Sequence, residues 1–171
     1  GDWSADRIVP DLWRARQARG PVSLRYPEAT RPWQHVLEPL SGYLWLGARL
    51  LQGASGLHGE AFNFGPDAKV NQTVAELLDA MSARWPGTQW SVPQGFEEQG
   101  REAMLLKLSC DKALFHMQWS AILDFPETVA FTVDWYRNWH QGQVSMAAFT
   151  DSQITLYCEQ VKARQAAWMQ A

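Results

Sequence analysis

Arg31 is the side chain whose type and setting best suit the binding of an anion. It is followed by Pro32-Trp33, so a proline ring and an aromatic neighbour restrict the chain around it. A guanidinium held in place can bond two phosphate oxygens at once, which a lysine ammonium cannot do. A solvated surface arginine is the ordinary alternative. The residue types alone favour that alternative, and they favour it more strongly for Arg7 and Arg101.

A glycine-rich stretch, Gly53-x-x-Gly56-x-x-Gly59, has the spacing that many dehydrogenases use to cradle a pyrophosphate. That use requires a strand before the glycines and a helix after them, because backbone amides and the helix N-terminus must face the anion. The predicted order here is reversed, with a helix before the glycines and a strand after them. We therefore interpret the stretch as a plain loop.

Other catalytic and metal-binding patterns are absent from the sequence. None of the four tyrosines is followed four residues later by the lysine that completes the catalytic pair of short-chain dehydrogenases. The four histidines show no metal-ligand spacing with each other or with cysteine, and no G-x-S-x-G elbow is present. Cys110 and Cys158 form no C-x-x-C pair, so we expect two reduced, buried thiols.

Hydrophobic periodicity predicts a helix-rich chain with scattered short strands. The predicted helices run from an Asp6 cap to Arg19, from Leu40 to Leu51, from a Thr73/Glu76 capping box to Pro86, briefly after a Ser109 cap, from an Asp124/Glu127 capping box to Gly142, and onward from a Thr150/Gln153 start. The predicted strands cover 22–26, 61–64, 88–92 and 104–108.

These short strands have no hairpin partners, and segment 61–64 is the clearest case. A strand without a partner leaves backbone groups unpaired, so such strands usually belong to a sheet that begins elsewhere. The order of elements therefore indicates the later half of a larger α/β protein.

The composition is that of a globular domain without a broad charged surface. The 171 residues are 46% hydrophobic, include 10 tryptophans and carry a net charge of -3. This balance provides no basic field for nucleic acid or anionic lipid, so any anion site must be local. No apolar run approaches the roughly 20 residues of a membrane span. We expect no nucleic-acid or membrane partner and a cytoplasmic location.

The segment from Arg31 to Leu46, RPWQHVLEPLSGYLWL, strongly resembles a stretch of CDP-glucose 4,6-dehydratases, which are extended short-chain dehydrogenases. Further matches are GDW at 1–3, DRIVPD at 6–11, NFGP at 63–66, and EA at 102–103 leading to LKL at 106–108. Relatives that act on dTDP-glucose have Arg-Asp-Trp where this chain has Arg31-Pro32-Trp33.

The resemblance implies that residues 1–171 form the helix-rich, carboxy-terminal, nucleotide-sugar-binding portion of an α/β enzyme whose amino-terminal Rossmann domain is absent. In the family, NAD oxidises C4 of glucose, water is lost across C5 and C6, and the hydride returns to C6. The product, a CDP-4-keto-6-deoxyglucose, serves deoxysugar and lipopolysaccharide synthesis. Since the amino-terminal half holds NAD and most catalytic groups, we expect this portion to bind no NAD and to be inactive alone. Its expected partners are CDP-glucose, the missing half and further copies of itself.

The resemblance also assigns candidate substrate-binding residues. By position, Arg31 resembles the arginine that binds the diphosphate, and the family match reverses the balance in favour of that role. The remaining candidates are Val22, Ser23 and Leu24 beside the base and ribose, Arg7 and Ile8 near the nucleotide, and Arg101, where relatives often have histidine.

Two other functions remain open from the sequence. One is a truncated, non-catalytic module that binds a nucleotide sugar or mediates oligomerisation. The other is an epimerase, or a dehydratase for another nucleotide sugar, although the stretch Pro32-Trp33-Gln34-His35 weakens it.

Overall fold

The computed structural model describes residues 2–93, 104–142 and 144–169. Its α-helices in these ranges are α1 (Ile8–Gln17), α2 (Leu37–Leu51), α3 (Val74–Arg84), α4 (Asp111–Met117), α5 (Phe125–Gln141) and α6 (Met146–Ala163). Its strands are β1 (Val22–Ser23) and β2 (Trp90–Ser91), and short 3-10 turns lie at Ser55–Leu57 and Ala167–Met169. None of the helices in these ranges has the length and apolar character needed to cross a membrane.

The sheet consists of β1 and β2 in parallel, with Val22 opposite Trp90 and Ser23 opposite Ser91. The backbone N–H of Val22 donates to the carbonyl of Gln89 at 2.8 Å, and that of Leu24 donates to Ser91 at 2.9 Å. Two of the predicted strands therefore pair with each other, over shorter lengths than expected. A helix-rich chain with a small parallel sheet agrees with the predicted α/β class.

The other two predicted strands are wrong. Segment 61–64 is held by side chains: Asn63 Nδ2 donates to the Ser109 carbonyl at 3.2 Å, and Gln34 Nε2 donates to the Phe64 carbonyl at 3.1 Å. No backbone hydrogen bond joins 61–64 to another segment within the three described ranges. Segment 104–108 contributes an isolated bridge between Leu105 and Thr30. Strand propensity is present in both, but a strand also needs a partner.

The helix starts predicted from capping boxes are confirmed at α3 and α5. The Glu76 N–H donates to Thr73 Oγ1 at 3.1 Å while the Thr73 N–H donates to Glu76 Oε2 at 2.7 Å. Asp124 and Glu127 make the same reciprocal pair at 2.8 and 2.9 Å. Gly142 ends α5 with φ +62°, a left-handed conformation that suits glycine.

Four other predicted helix starts are wrong. Asp6 has φ +57° and cannot cap α1, whose N-cap is Arg7 in an extended conformation. The helix α2 begins at Leu37, before Pro39, because a proline is tolerated in a first turn. The N-cap of α4 is Cys110 rather than Ser109.

The helix α6 begins at Met146, ahead of the predicted Thr150 start. Thr150 Oγ1 donates to the Met146 carbonyl at 2.7 Å from inside the helix. A threonine hydroxyl can bond back to the previous turn as readily as it caps a new one. The predicted helix start at Thr150 is therefore wrong.

The hydrophobic core has two clusters that share α5. One cluster lies among α2, α4 and α6 and includes Trp119, which is fully buried, together with Phe131 of α5. The other lies among α1, β1 and α3 and takes Val133 and Tyr136 from α5. The helix α5 is thus packed on two sides, and its position depends on both clusters.

Glu38 of α2 is buried where this helix meets α6 and the segment before α5, and only 1% of its surface is exposed. Its Oε1 accepts from the backbone N–H groups of Ile122 at 3.0 Å and Leu123 at 2.6 Å. Its Oε2 accepts from the Tyr157 hydroxyl at 3.1 Å. Burial raises the pKa of Glu38, although these hydrogen bonds act in the opposite direction. The carboxyl group therefore connects three parts of the chain near the start of α5.

Both cysteines are free, as expected, but the prediction that both are buried is wrong. Cys158 is exposed on α6. Cys110 is partly buried, and its Sγ accepts from the Gly65 N–H at 3.1 Å. Burial raises the pKa of the Cys110 thiol.

Candidate functional site

A cleft of about 860 Å³ is lined by residues from the first 37 positions and from three helices, α3, α5 and α6. Part of its lining comes from the start of α1, from β1 with the residues after it, and from the turn between Arg31 and Leu37. Residues of α3, α5 and α6 complete the lining. A concave site of this size can enclose a ligand as large as a nucleotide sugar.

The predicted substrate-binding residues within the described ranges all line this cleft. They are Arg7, Ile8, Val22, Ser23, Leu24 and Arg31. Arg101 lies outside the described residues. The structure therefore brings together residues that the sequence spreads over 25 positions, counted from Arg7 to Arg31.

The two residues of β1 and Leu24, which follows them, present different groups to the cleft. Val22 and Leu24 are 6% and 2% exposed and belong to the hydrophobic core, whereas Ser23 is exposed. Successive side chains of a strand point to opposite faces, which explains the alternation. A ligand beside β1 would thus meet the Ser23 hydroxyl and the backbone more than the two apolar side chains.

The turn that carries Arg31 is held by several hydrogen bonds. Arg31 Nη1 donates to the Thr30 carbonyl at 2.8 Å, and the Trp33 N–H donates to the Arg31 carbonyl at 2.9 Å. Trp33 Nε1 donates to the Gln72 carbonyl at 2.9 Å, just before α3. The restricted setting expected from Pro32 and Trp33 is therefore present.

Charges of both signs surround the cleft. Arg7, Arg25 and Arg31 line it, but so do Asp2, Asp6 and Asp11. Hydrogen bonds from Ser4 lower the pKa of Asp2, and the nearby Arg7 contributes in the same direction. Asp11 forms an ion pair with Arg14 at 2.5 Å. An anionic ligand would therefore depend on individual guanidinium groups rather than on a uniformly positive wall.

Sequence reasoning missed the wall formed by α5 and α6. Thr128, Thr132 and Trp135 of α5 line the cleft together with Thr150 and Gln153 of α6. Trp135 Nε1 donates to Thr150 Oγ1 at 3.1 Å, and Gln153 Nε2 donates to the Phe131 carbonyl at 2.7 Å, so the two helices are joined here. The spacing of Thr128, Thr132 and Trp135 places them on one helix face, a signal that was present in the sequence.

His35 also lines the cleft, a position that its residue type and spacing in the sequence did not predict. Its ring centroid lies 5.3 Å from that of Phe131, and its Nδ1 accepts from the Leu37 N–H at a long 3.4 Å. Burial lowers the pKa of His35 to about 4, so the imidazole is neutral at neutral pH. It can offer a hydrogen bond to a ligand but not a positive charge.

Two sequence features with a possible cofactor or metal role, the glycine loop and the His, Cys, Asp and Glu side chains, can be compared with the described structure. The loop with Gly53, Gly56 and Gly59 follows α2 and contains the short turn Ser55–Leu57, so it lacks the preceding strand and following α-helix of a phosphate cradle. In the described ranges, no three His, Cys, Asp or Glu side chains are grouped to hold a metal ion.

No family model matches the chain, but comparison with known proteins finds a clear relative. CDP-glucose 4,6-dehydratase of Salmonella typhimurium strain LT2 is 39% identical to this chain over 144 residues. The chain is homologous to the CDP-glucose 4,6-dehydratases. The resemblance predicted from the sequence is thus confirmed over 84% of the chain. The match covers 39% of the dehydratase, so the chain spans less than half of that relative's length.

Proposed function

We propose that this chain is the nucleotide-sugar-binding portion of a CDP-glucose 4,6-dehydratase and that CDP-glucose binds in the cleft. The observation that carries the proposal is the convergence of Arg7, Ile8, Val22, Ser23, Leu24 and Arg31 on one cleft. The resemblance assigns each of these residues by its position in the sequence alone. The homology to a CDP-glucose 4,6-dehydratase supplies the substrate class.

In this proposal the diphosphate lies between Arg31 and the N-terminus of α1. Arg31 provides a planar fork of donors, which matches the oxygens of a phosphate. Arg7 stands at the N-cap position of α1, and the first N–H groups of that helix, with its dipole, favour a negative charge. The backbone of β1 and the Ser23 hydroxyl contact the base and ribose. Arg101 is proposed as a further contact to phosphate or sugar.

NAD belongs, in this proposal, to a part of the polypeptide outside residues 1–171, an amino-terminal Rossmann domain. The glycine loop of this chain does not have the arrangement that would hold a dinucleotide. The chain alone is therefore inactive, and it works with the missing half in a homo-oligomeric, cytoplasmic enzyme of deoxysugar and lipopolysaccharide synthesis.

Calorimetric titration of the chain with CDP-glucose, UDP-glucose and dTDP-glucose tests the proposed substrate. We expect CDP-glucose to bind most tightly and Ser23→Val to weaken its binding, because valine replaces the exposed hydroxyl beside the base and ribose. Thr155→Val is the matched control, since Thr155 is exposed on α6 and does not line the cleft. Equal affinity for the three nucleotide sugars, or the same loss in both variants, would contradict the proposal.

A further inference from the structure

The charged residues of the cleft all come from one part of the chain. Among the described lining residues, every aspartate and every arginine lies within residues 2–31. The lining residues from position 32 onward, in the turn before α2 and in α3, α5 and α6, carry no carboxylate, ammonium or guanidinium group. A diphosphate is bound by cationic side chains, so it belongs in the charged part. The uncharged part suits a portion of the ligand that has polar groups without charge.

His35 belongs to the uncharged part and is held by contacts with two helices. Its Nδ1 accepts from the Leu37 N–H at 3.4 Å, and its carbonyl accepts from the Glu38 N–H at 3.0 Å, both at the start of α2. Its ring centroid lies 5.3 Å from that of Phe131 on α5. The imidazole is therefore fixed between the start of α2 and the turn of α5 that carries Phe131 and Thr132.

The proton of the His35 ring lies on Nε2. A neutral imidazole has one N–H and one bare nitrogen, and Nδ1 is the bare nitrogen here because it accepts from Leu37. Burial lowers the pKa of His35 to about 4, so the ring carries no second proton at neutral pH. Within the described ranges, no residue accepts from Nε2. His35 therefore offers a neutral N–H donor to a ligand in the cleft.

The threonines of α5 and α6 that line the cleft offer acceptors instead. Thr132 Oγ1 donates to the Thr128 carbonyl at 2.8 Å, and Thr150 Oγ1 donates to the Met146 carbonyl at 2.7 Å, so each hydroxyl hydrogen is used inside its own helix. A hydroxyl oxygen with its hydrogen engaged can still accept. Thr150 Oγ1 already accepts from Trp135 Nε1 at 3.1 Å. Thr132 thus remains as a hydrogen-bond acceptor for a ligand.

A ligand group that bonds to both residues must accept from His35 and donate to Thr132. A hydroxyl group does both, whereas a phosphate oxygen only accepts and an ammonium group only donates. The glucose of a nucleotide sugar carries hydroxyl groups and no charge. In the proposed function the base and ribose lie beside β1 and the diphosphate lies beside Arg31. The glucose is therefore the portion of the ligand that matches the uncharged part of the cleft.

We propose that a hydroxyl group of the glucose accepts from His35 Nε2 and donates to Thr132 Oγ1. The two residues then determine specificity for the sugar, while the residues within 2–31 bind the nucleotide. The proposal rests on the proposed function, because it takes the cleft to hold a nucleotide sugar.

Four variants separate this role from a structural one. In His35→Asn, the side-chain oxygen can replace Nδ1 as the acceptor for the Leu37 N–H, but no donor reaches the position of Nε2. In His35→Gln, the amide nitrogen can take the place of Nε2. Thr132→Val removes the acceptor on α5 and does not alter the start of α2. Thr155→Val is the matched control, because Thr155 Oγ1 donates to the Asp151 carbonyl at 3.0 Å in the same way but does not line the cleft.

Calorimetric titration of the parent and each variant with CDP-glucose and with CDP is the measurement. We expect His35→Asn and Thr132→Val to weaken CDP-glucose binding by about three- to tenfold and to leave CDP binding unchanged, because CDP lacks the glucose. His35→Gln should recover part of the loss, and Thr155→Val should bind like the parent. Thermal melts of His35→Asn that match the parent show that the start of α2 is intact.

CDP-glucose binding that is unchanged in both His35→Asn and Thr132→Val would overturn the proposal and leave the proposed function standing, because His35 would then only cap α2. Equal losses for CDP-glucose and CDP would also overturn it, since the contact would then be with the nucleotide. A parent that binds UDP-glucose as tightly as CDP-glucose, while the two variants weaken both, supports the glucose contact and contradicts the proposed function. A parent that binds no nucleotide sugar contradicts both.

Discussion

Replacing Glu38 tests whether a single buried carboxyl group holds the α5 wall of the cleft in place. In Glu38→Ala, the backbone N–H groups of Ile122 and Leu123 lose their acceptor, and the Tyr157 hydroxyl loses one of two partners. A buried donor left without a partner costs about 1–3 kcal/mol. Two such donors predict a loss of about 2–6 kcal/mol in the free energy of unfolding, and the removed side chain leaves a cavity that adds to it.

Glu38→Gln should recover most of this loss. Glutamine keeps an oxygen that can accept from Ile122 and Leu123, and it carries no charge that would be costly to bury. Comparing the alanine and glutamine variants therefore separates the contribution of the hydrogen bonds to stability from the contribution of the charge. Glu159→Ala is the control, because Glu159 is an exposed glutamate on α6 and should change stability by no more than about 0.5 kcal/mol.

The pH dependence of the free energy of unfolding provides a second, independent test of the role of Glu38. The pKa of Glu38 is raised in the folded protein, so its protonation stabilises the fold, and that stabilisation is lost as the pH rises through the folded-state pKa. Glutamine does not titrate. The stability of Glu38→Gln relative to the parent should therefore decrease as the pH is lowered from neutral towards the ordinary pKa of glutamate.

Urea unfolding of the parent and the three variants at several pH values provides the measurement. The reasoning is refuted if Glu38→Ala unfolds within about 0.5 kcal/mol of the parent, since the two backbone donors would then have found other partners. A glutamine variant as unstable as the alanine variant would show that the charge, rather than the acceptor geometry, holds the segment before α5.

Four further predictions concern the cleft, the core and the activity. If the proposed function holds, Arg31→Ala in the longer dehydratase polypeptide should weaken CDP-glucose binding by about ten- to over a hundredfold, because a charge-assisted hydrogen bond contributes about 1.5–3 kcal/mol. Arg31→Lys should recover only part of that loss, and titrations of Arg31→Ala that match the parent would contradict the role. Gly42→Ala should lower the free energy of unfolding by about 1–3 kcal/mol, because the added Cβ atom would stand 2.2 Å from the Phe64 ring. Gly47→Ala should raise it by up to about 1 kcal/mol, because a Cβ atom there meets nothing within 4 Å and alanine favours the helix. Thermal melts that show the same effect at both positions would mean that α2 packs differently. The pKa of His35 is lowered to about 4 in the folded protein, so protonation of His35 opposes folding, and the free energy of unfolding should fall as the pH drops from about 6.5 to 4. His35→Gln should make the free energy of unfolding less dependent on pH in this range. If the curves of the parent and the variant against pH are the same, the His35 ring is not buried as described. The purified 171-residue chain should form no product from CDP-glucose and NAD, and measurable turnover would disprove the proposed division between the two parts of the polypeptide.

The helix boundaries show how far local sequence information reaches. The starts of α3 and α5 were predicted correctly because Thr73 and Asp124 each bond to residues three positions away. The start of α6 was not, because Thr150 has the same local options inside a helix as at its beginning. Capping rules therefore predict a helix start correctly where the side chain can form its hydrogen bond only at a helix N-terminus. They fail where the same side chain can form a hydrogen bond equally well inside a helix.

The burial of Glu38 had no signal in the sequence. It stands in an apolar helical stretch where an exposed glutamate would be ordinary, and its partners Ile122, Leu123 and Tyr157 are more than 80 residues away along the chain. Only the packing of α2 against α6 and the segment before α5 gives it two backbone donors and a hydroxyl group.

The sequence by itself determined the helix-rich character, the two capping boxes, the relationship to a dehydratase and the list of candidate residues from Arg7 to Arg31. These depend on residue types and on spacings within one segment, which the order of residues specifies directly. The tertiary structure decided that β1 pairs with β2, that 61–64 remains without a strand partner in the described ranges, and that Thr132 and Trp135 line the same cleft as the predicted residues. The reason is that strand pairing and a two-walled cleft are formed by residues far apart in sequence, and their positions follow from how the two cores pack on either side of α5.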